Sequence, residues 1–253
     1  MADRREGVSV YYRLTRDGAD PKLTAMWLVL KDNLSDGLIG SDLERLAEVL
    51  AQRTPGRNWP DAVAGDMERH YSPGRTWEAT ARALVRLIEP GRILDVASGD
   101  GVMGELLGGQ AETMECIDIS PRVVSAGRRR LASNEQVRFR QADMHALPYA
   151  EASFDTVLML HALTYSHKPD VAIAEAARVL APGGRLLCAT LKRHRHERQV
   201  QSFGHVNCGF GEKRLEQLCS QAGLAMTFCK VTSVESKPPH FNVITLLARK
   251  PQS

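Results

Sequence analysis

The chain has 253 residues, 43% of them hydrophobic, which is enough for one large core or one core with a small appendage. Lys and Arg number 33 against 30 Asp and Glu, so the charge balance calls for neither nucleic acid nor an anionic membrane as partner. No apolar run approaches the length of a bilayer span and the start, MADRREG, lacks the features of a signal peptide, which together predict a soluble cytoplasmic protein.

In chain order, residues 6–15, EGVSVYYRLT, alternate Val8, Val10, Tyr12 and Leu14 with Ser9, Tyr11 and Arg13, the period-2 pattern of a half-buried strand. A helix is expected over residues 21–33, with Leu23, Trp27, Leu30 and Leu34 at the spacing of a coiled-coil seam, which needs a partner helix. A second helix is expected over residues 41–52, where Leu43, Leu46, Ala47 and Leu50 share a face behind a Ser41 cap. TPGRNW, residues 54–59, breaks the pattern and reads as a linker between an N-terminal segment, 1–60, and a main domain, 61–253. The loop HYSPGRTW, residues 70–77, leads into a helix with Trp77, Ala81, Leu84 and Ile88 on one face; Tyr71 either closes over a ligand or staples the helix start.

From residue 92 onward, short buried strands (92–96, 113–117, 137–141, 156–160, 185–190) alternate with amphipathic helices that run from the first strand to about 108 and over 121–132 and 170–180. This alternation predicts an α/β fold: a Rossmann-like, doubly wound, mostly parallel sheet carrying an N-terminal helical extension. Ligands of such sheets sit at the carboxyl ends of the strands, here occupied by Ala97, Ser98 and Gly99, then Asp118, Asp143 and His161.

Within GRILDVASGDG, residues 91–101, Ile93, Leu94 and Val96 form the apolar strand, while Gly99 and Gly101 admit a close ligand. The helix that follows aims its free amides at the same place, although many strand-to-helix turns contain glycine and bind nothing. The turn lacks the GxGxxG spacing of a pyrophosphate site and suits a ligand with an amino-acid end. Asp118 is placed to accept hydrogen bonds from two ribose hydroxyls, and Asp143 with the Met144 amide to read the amino edge of an adenine.

The ordered motifs ILDVASGDG, CIDIS, RFRQADMHALPY, SFDTVLMLHAL and LAPGGRLL resemble those of class I S-adenosylmethionine-dependent methyltransferases, the broad group that includes ubiquinone and arsenite methyltransferases. The resemblance spans residues 71–191. It implies S-adenosylmethionine as cofactor, with Asp95, Ala97, Ser98, Gly99 and Gly101 along its methionine and ribose, Asp118 on the ribose hydroxyls, Ile119 beside the adenine, and Asp143 and Met144 at its edge. Ala97 departs from the glycine that commonly stands two places before Gly99. The start, VYYRLT followed by an amphipathic helix, resembles the wing strand and dimerisation helix of ArsR-type winged-helix regulators, and the whole chain resembles the methyltransferases found fused behind them. The helix-turn-helix that would enter DNA has no counterpart in the sequence, and residues 1–60 carry nine basic and nine acidic side chains. A homodimer joined through the N-terminal helices is therefore expected, with no nucleic acid bound by this chain alone.

Methyl transfer from a sulfonium requires alignment, exclusion of water and in some cases removal of a proton. His161, Tyr165 and His205 are the catalytic candidates, with His161 also on the cofactor side. His240 and the run KRHRHER, residues 192–198, are further polar features; the run is either a solvated face or an attractor for an acidic substrate. Cys116, Cys188, Cys219 and Cys229 fall at buried positions and only Cys208 in a loop, so neither a metal site nor arsenite methylation is expected. The expected activity is methylation of a small molecule. A cofactor-sensing regulator without turnover, or a non-methyl reaction such as cyclisation, stands beside it.

Overall fold

Two short strands, β1 (Ala2–Glu6) and β2 (Ser9–Arg13), pair antiparallel, with Asp3 opposite Tyr12 and Arg5 opposite Val10. Of the expected strand over 6–15, Ser9–Arg13 is thus the second arm of a pair, and Ala2–Glu6 supplies the first. The computed structural model describes residues 2–6, 9–13, 26–27 and 76–252. Of the helical stripe only Trp27 falls within them; Leu23, Leu30, Leu34, the 41–52 helix, the 54–59 linker and Tyr71 lie outside the described residues. The chain divides into two compact units, Met1–Pro73 and Gly74–Ser253.

The second unit begins with α1 (Trp77–Leu84), capped by Thr76, whose Oγ1 accepts from the Ala79 amide at 3.1 Å. The helix was expected to reach Ile88. It ends earlier because residues 85–87 tighten into a 3-10 turn and Ile88 is already extended. Then follow β3 (Arg92–Val96), α2 (Val102–Leu107), β4 (Thr113–Asp118), α3 (Pro121–Arg130), β5 (Val137–Gln141), β6 (Phe154–Leu160), α4 (Pro169–Val179), β7 (Leu180–Leu191), α5 (Glu197–Gln201), α6 (Glu212–Gln221), β8 (Ala225–Val234) and β9 (Asn242–Arg249).

Seven strands make one sheet in the order β5-β4-β3-β6-β7-β9-β8. β5, β4, β3, β6 and β7 run parallel, while β9 is antiparallel to both β7 and β8. This is the Rossmann-like, mostly parallel sheet expected from the strand-helix alternation. β7 is longer than expected because LAPGG joins it at Phe154–Leu180, with a register shift before Thr156 meets Arg185.

The alternation within β3 explains the layering. Leu94 and Val96 join a cluster with Ile173 and Ala176 of α4 and Leu215 and Leu218 of α6, whereas Ile93 joins Leu107 of α2 and Val124 of α3. Burial of the sheet on both faces is why its strands read as continuous apolar runs. The Phe139 ring occupies the space a side chain would need at Gly101 and Gly127, since a Cβ at either would collide with it. Gly101, expected to line the cofactor, is therefore a glycine for packing as well as for its φ of 90°. Among the described residues no helix is long and apolar enough to cross a membrane.

Candidate functional site

Strand order reverses at β3, which has β4 on one side and β6 on the other, and a crevice opens there at the carboxyl ends. A cleft of about 720 Å³ at this point is lined by Ala97, Gly99, Ile117, Asp118, Ile119, Ala142, Asp143, Met144, His145, Tyr165, His167 and Lys168. The expected residues Ala97, Gly99, Asp118, Ile119, Asp143, Met144 and Tyr165 meet in it. Ile117, Ala142, His145, His167 and Lys168 were not anticipated.

Asp118 is held at both oxygens: Oδ1 accepts from the Ser120 amide at 2.9 Å and Oδ2 from the Gly99 amide at 3.3 Å. The carboxylate is thereby fixed at the end of β4 and tied to the turn after β3, with lone pairs left over. Asp143 accepts at Oδ1 from both the His145 amide (2.9 Å) and the His145 ring Nδ1 (2.7 Å), leaving Oδ2 for a ligand. The backbone bond from His145 is the main cause holding this carboxyl below its ordinary range. The pattern D-x-H, a carboxylate bonding its own chain two residues on, was the sequence signal that would have found His145.

Asp95, Ser98, Gly101, His161 and His205 stand apart from the cleft lining. Asp95 is 2% exposed and its Oδ2 is buried with no hydrogen-bond partner; burial pushes its carboxyl up to about 7. Such an orphaned carboxylate behind the glycine turn fits a cationic group such as the ammonium of an amino-acid end. Ser98 donates its amide to Ile117 O at 2.9 Å and so fastens the turn to β4. His161 is exposed, with a φ of 61° unusual for a residue with a side chain, and its amide donates to Ala189 O at 2.7 Å. Ala97 also has a positive φ, 55°, so the turn keeps a glycine-type backbone although it carries a methyl group.

On the far side of Tyr165, the loop between α5 and α6 brings His205 edge-on to the tyrosine, with ring centroids 5.0 Å apart. His205 Nδ1 is buried without a partner. Burial, and then the His161 ring, pulls this imidazole below its ordinary value. His194 is shifted the same way by burial, His196 and His205, in that order, and stacks on Phe241 at 4.7 Å. The catalytic candidates His161, Tyr165 and His205 thus form one cluster beside the cleft.

Residues 94–188 match the methyltransferase-domain family. That match supports S-adenosylmethionine as the cofactor. Among relatives, the chain is 34% identical over 111 residues to the demethylmenaquinone methyltransferase of Clavibacter sepedonicus, covering 44% of this chain and 45% of that protein. It is 32% identical over 158 residues to the ubiquinone biosynthesis O-methyltransferase of Xanthomonas axonopodis pv. citri, covering 60% and 62%. The chain thus spans about half the length of the demethylmenaquinone methyltransferases it matches. Of solved structures, the [4+2]-cyclase SpnF superposes with a TM-score of 0.58 at 23% identity, over 72% of this chain and 85% of that one. The methyltransferase domain therefore contains the whole strand-end set from Asp95 to His161, whereas His194 and His205 lie beyond the matched segment.

Proposed function

We propose that the chain is an S-adenosylmethionine-dependent methyltransferase acting on a small-molecule acceptor. The observation that carries this reading is the meeting of Gly99, Asp118 and Asp143, from the ends of three adjacent strands, in one cleft of the methyltransferase domain. When bound, S-adenosylmethionine supplies a methyl group already activated on a sulfonium. Asp118 would hold the ribose hydroxyls, Asp143 Oδ2 and the Met144 amide the adenine edge, Ile119 the adenine face, and Asp95 the ammonium. Ser98 and Gly101 shape the turn.

The acceptor side belongs to His161, Tyr165 and His205. A neutral imidazole at His205 is suited to take a proton from an acceptor hydroxyl, and the tyrosine ring to exclude water. The names of the two relatives make hydroxylated aromatic rings the first acceptors to assay. Isothermal titration with S-adenosylmethionine and S-adenosylhomocysteine tests the cofactor half; release of S-adenosylhomocysteine in the presence of acceptors tests the transfer. Failure to bind either nucleoside removes the reading.

A second reading is a non-methyl reaction, favoured by the likeness in fold to a protein described as a [4+2]-cyclase. Product formation with no S-adenosylhomocysteine released would support it. Binding without any product would instead support a cofactor-sensing protein akin to the ArsR-type regulators that VYYRLT and the helix expected after it resemble.

A further inference from the structure

Residues 163–168 form a wall between the cofactor cleft and the loop that carries His205. Tyr165, His167 and Lys168 face the cleft. The segment has little regular structure of its own, a 3-10 turn at Leu163–Tyr165, and is fastened on both sides by side chains. On the cleft side, Ser166 Oγ lies 2.7 Å from His145 Nε2 and accepts from the Lys168 amide at 3.2 Å. Since Asp143 can only accept, His145 donates from Nδ1, and its Nε2 then accepts the Ser166 hydroxyl proton. On the loop side, Asn207 Nδ2 donates to Leu163 O (3.0 Å) and Ser166 O (3.3 Å), Asn207 Oδ1 accepts from the Gly209 amide (3.3 Å), and the Val206 amide donates to Thr164 O (2.9 Å). A continuous hydrogen-bonded line thus runs from Asp143 through His145, Ser166 and Asn207 to the loop on either side of His205.

Resting on the cofactor reading above, the geometry points to Asn207 as a positioning residue that couples occupation of the cleft at its Asp143 edge to the order of residues 204–209. A ligand hydrogen-bonded at Asp143 Oδ2 restrains that carboxylate, and with it the His145 ring and the Ser166 hydroxyl. The two carbonyls accepting from Asn207 then sit at fixed positions, and the loop that presents His205 is drawn to them. Loss of the amide donors would weaken the coupling, because no other side chain joins Ser166 to the loop among the described residues and only the backbone bond from the Val206 amide to Thr164 O remains.

Amide hydrogen exchange on the full chain, with and without saturating S-adenosylhomocysteine, tests this. In the unaltered protein the ligand is expected to slow exchange at Val206 and Gly209 by about fivefold, the net effect of roughly one hydrogen bond. In Asn207→Ala, whose side chain does not line the cleft, ligand affinity is expected to stay close to that of the unaltered protein while the slowing falls well below fivefold. Asn207→Asp provides a second variant that keeps the acceptor for Gly209 and loses both donors. A purely structural asparagine would raise exchange equally with and without ligand. Binding measured by calorimetry without slowing in the unaltered protein, or equal slowing in the variants, would overturn the coupling alone. No binding at all would overturn the cofactor reading, and the coupling with it.

Discussion

The His205 imidazole packs edge-on against the Tyr165 ring at 5.0 Å, so a residue lining the cofactor cleft touches one from the loop between α5 and α6. This contact makes the two halves of the site continuous, and it links the chemistry expected of His205 to the state of its ring.

Because His205 lies below the usual imidazole value, it is neutral and able to accept a proton at neutral pH. Turnover is expected to rise with pH through an apparent value below 6.5, and His205→Ala to lower kcat far more than cofactor affinity. The sign for stability follows: as pH falls below about 6.5 the unfolded chain binds protons that the folded chain resists at His205 and His194, so stability is lost there. Rate profiles and thermal melts across this range are the check.

Asp95 acts in the opposite direction. Its carboxyl is raised from 3.8 to about 7 by burial, so between those values the folded chain keeps a proton that the unfolded chain has released. Stability of the cofactor-free protein is therefore expected to fall as pH rises from about 4 to 7, and Asp95→Asn to remove that decline, leaving the histidine contribution visible. If a cationic group pairs with Asp95, S-adenosylmethionine binding near pH 6 releases a proton. Titration calorimetry in buffers of different ionisation enthalpy measures it.

Asp118→Ala is expected to weaken S-adenosylhomocysteine by about tenfold or more, since hydrogen bonds to a charged group contribute roughly 1.5–3 kcal/mol. The variant also frees the Gly99 amide, so Asp118→Asn, which keeps one acceptor oxygen, should lie between. An unchanged dissociation constant would move the ribose away from β4.

Ala97→Gly is expected to stabilise the fold. At a φ of 55° the methyl group carries a left-handed backbone penalty, and its relief should outweigh the added freedom of the unfolded chain. A gain near 1 kcal/mol corresponds to a melting temperature higher by about 2–4 °C for a chain of this size.

Dimerisation is expected from the stripe of Leu23, Trp27, Leu30 and Leu34. Light scattering on the full chain should return twice the mass of 27.9 kDa, and Leu30→Lys should lower it toward the single-chain value. A mass of one chain at all concentrations would refute it.

The period of the apolar residues determined the strand-helix alternation and hence the sheet, because a strand buried on both faces has no choice but to be apolar along its length, as β3 is. From that topology the strand-end residues Gly99, Asp118 and Asp143 follow, since the carboxyl ends of parallel strands meet at one edge. What lies between them in space did not follow. His145 reaches the cleft through a local turn at Asp143, His167 and Lys168 lie just after the 3-10 turn, and Asp95 is buried with one oxygen unpartnered. Gly101 reads as a ligand signal in one dimension; only the packing of Phe139 against it and against Gly127 reveals a steric reason. His205 and Tyr165 are separated by α4, β7 and α5, and a contact of that range is decided by how β6 and β7 pair, which local residue patterns do not specify.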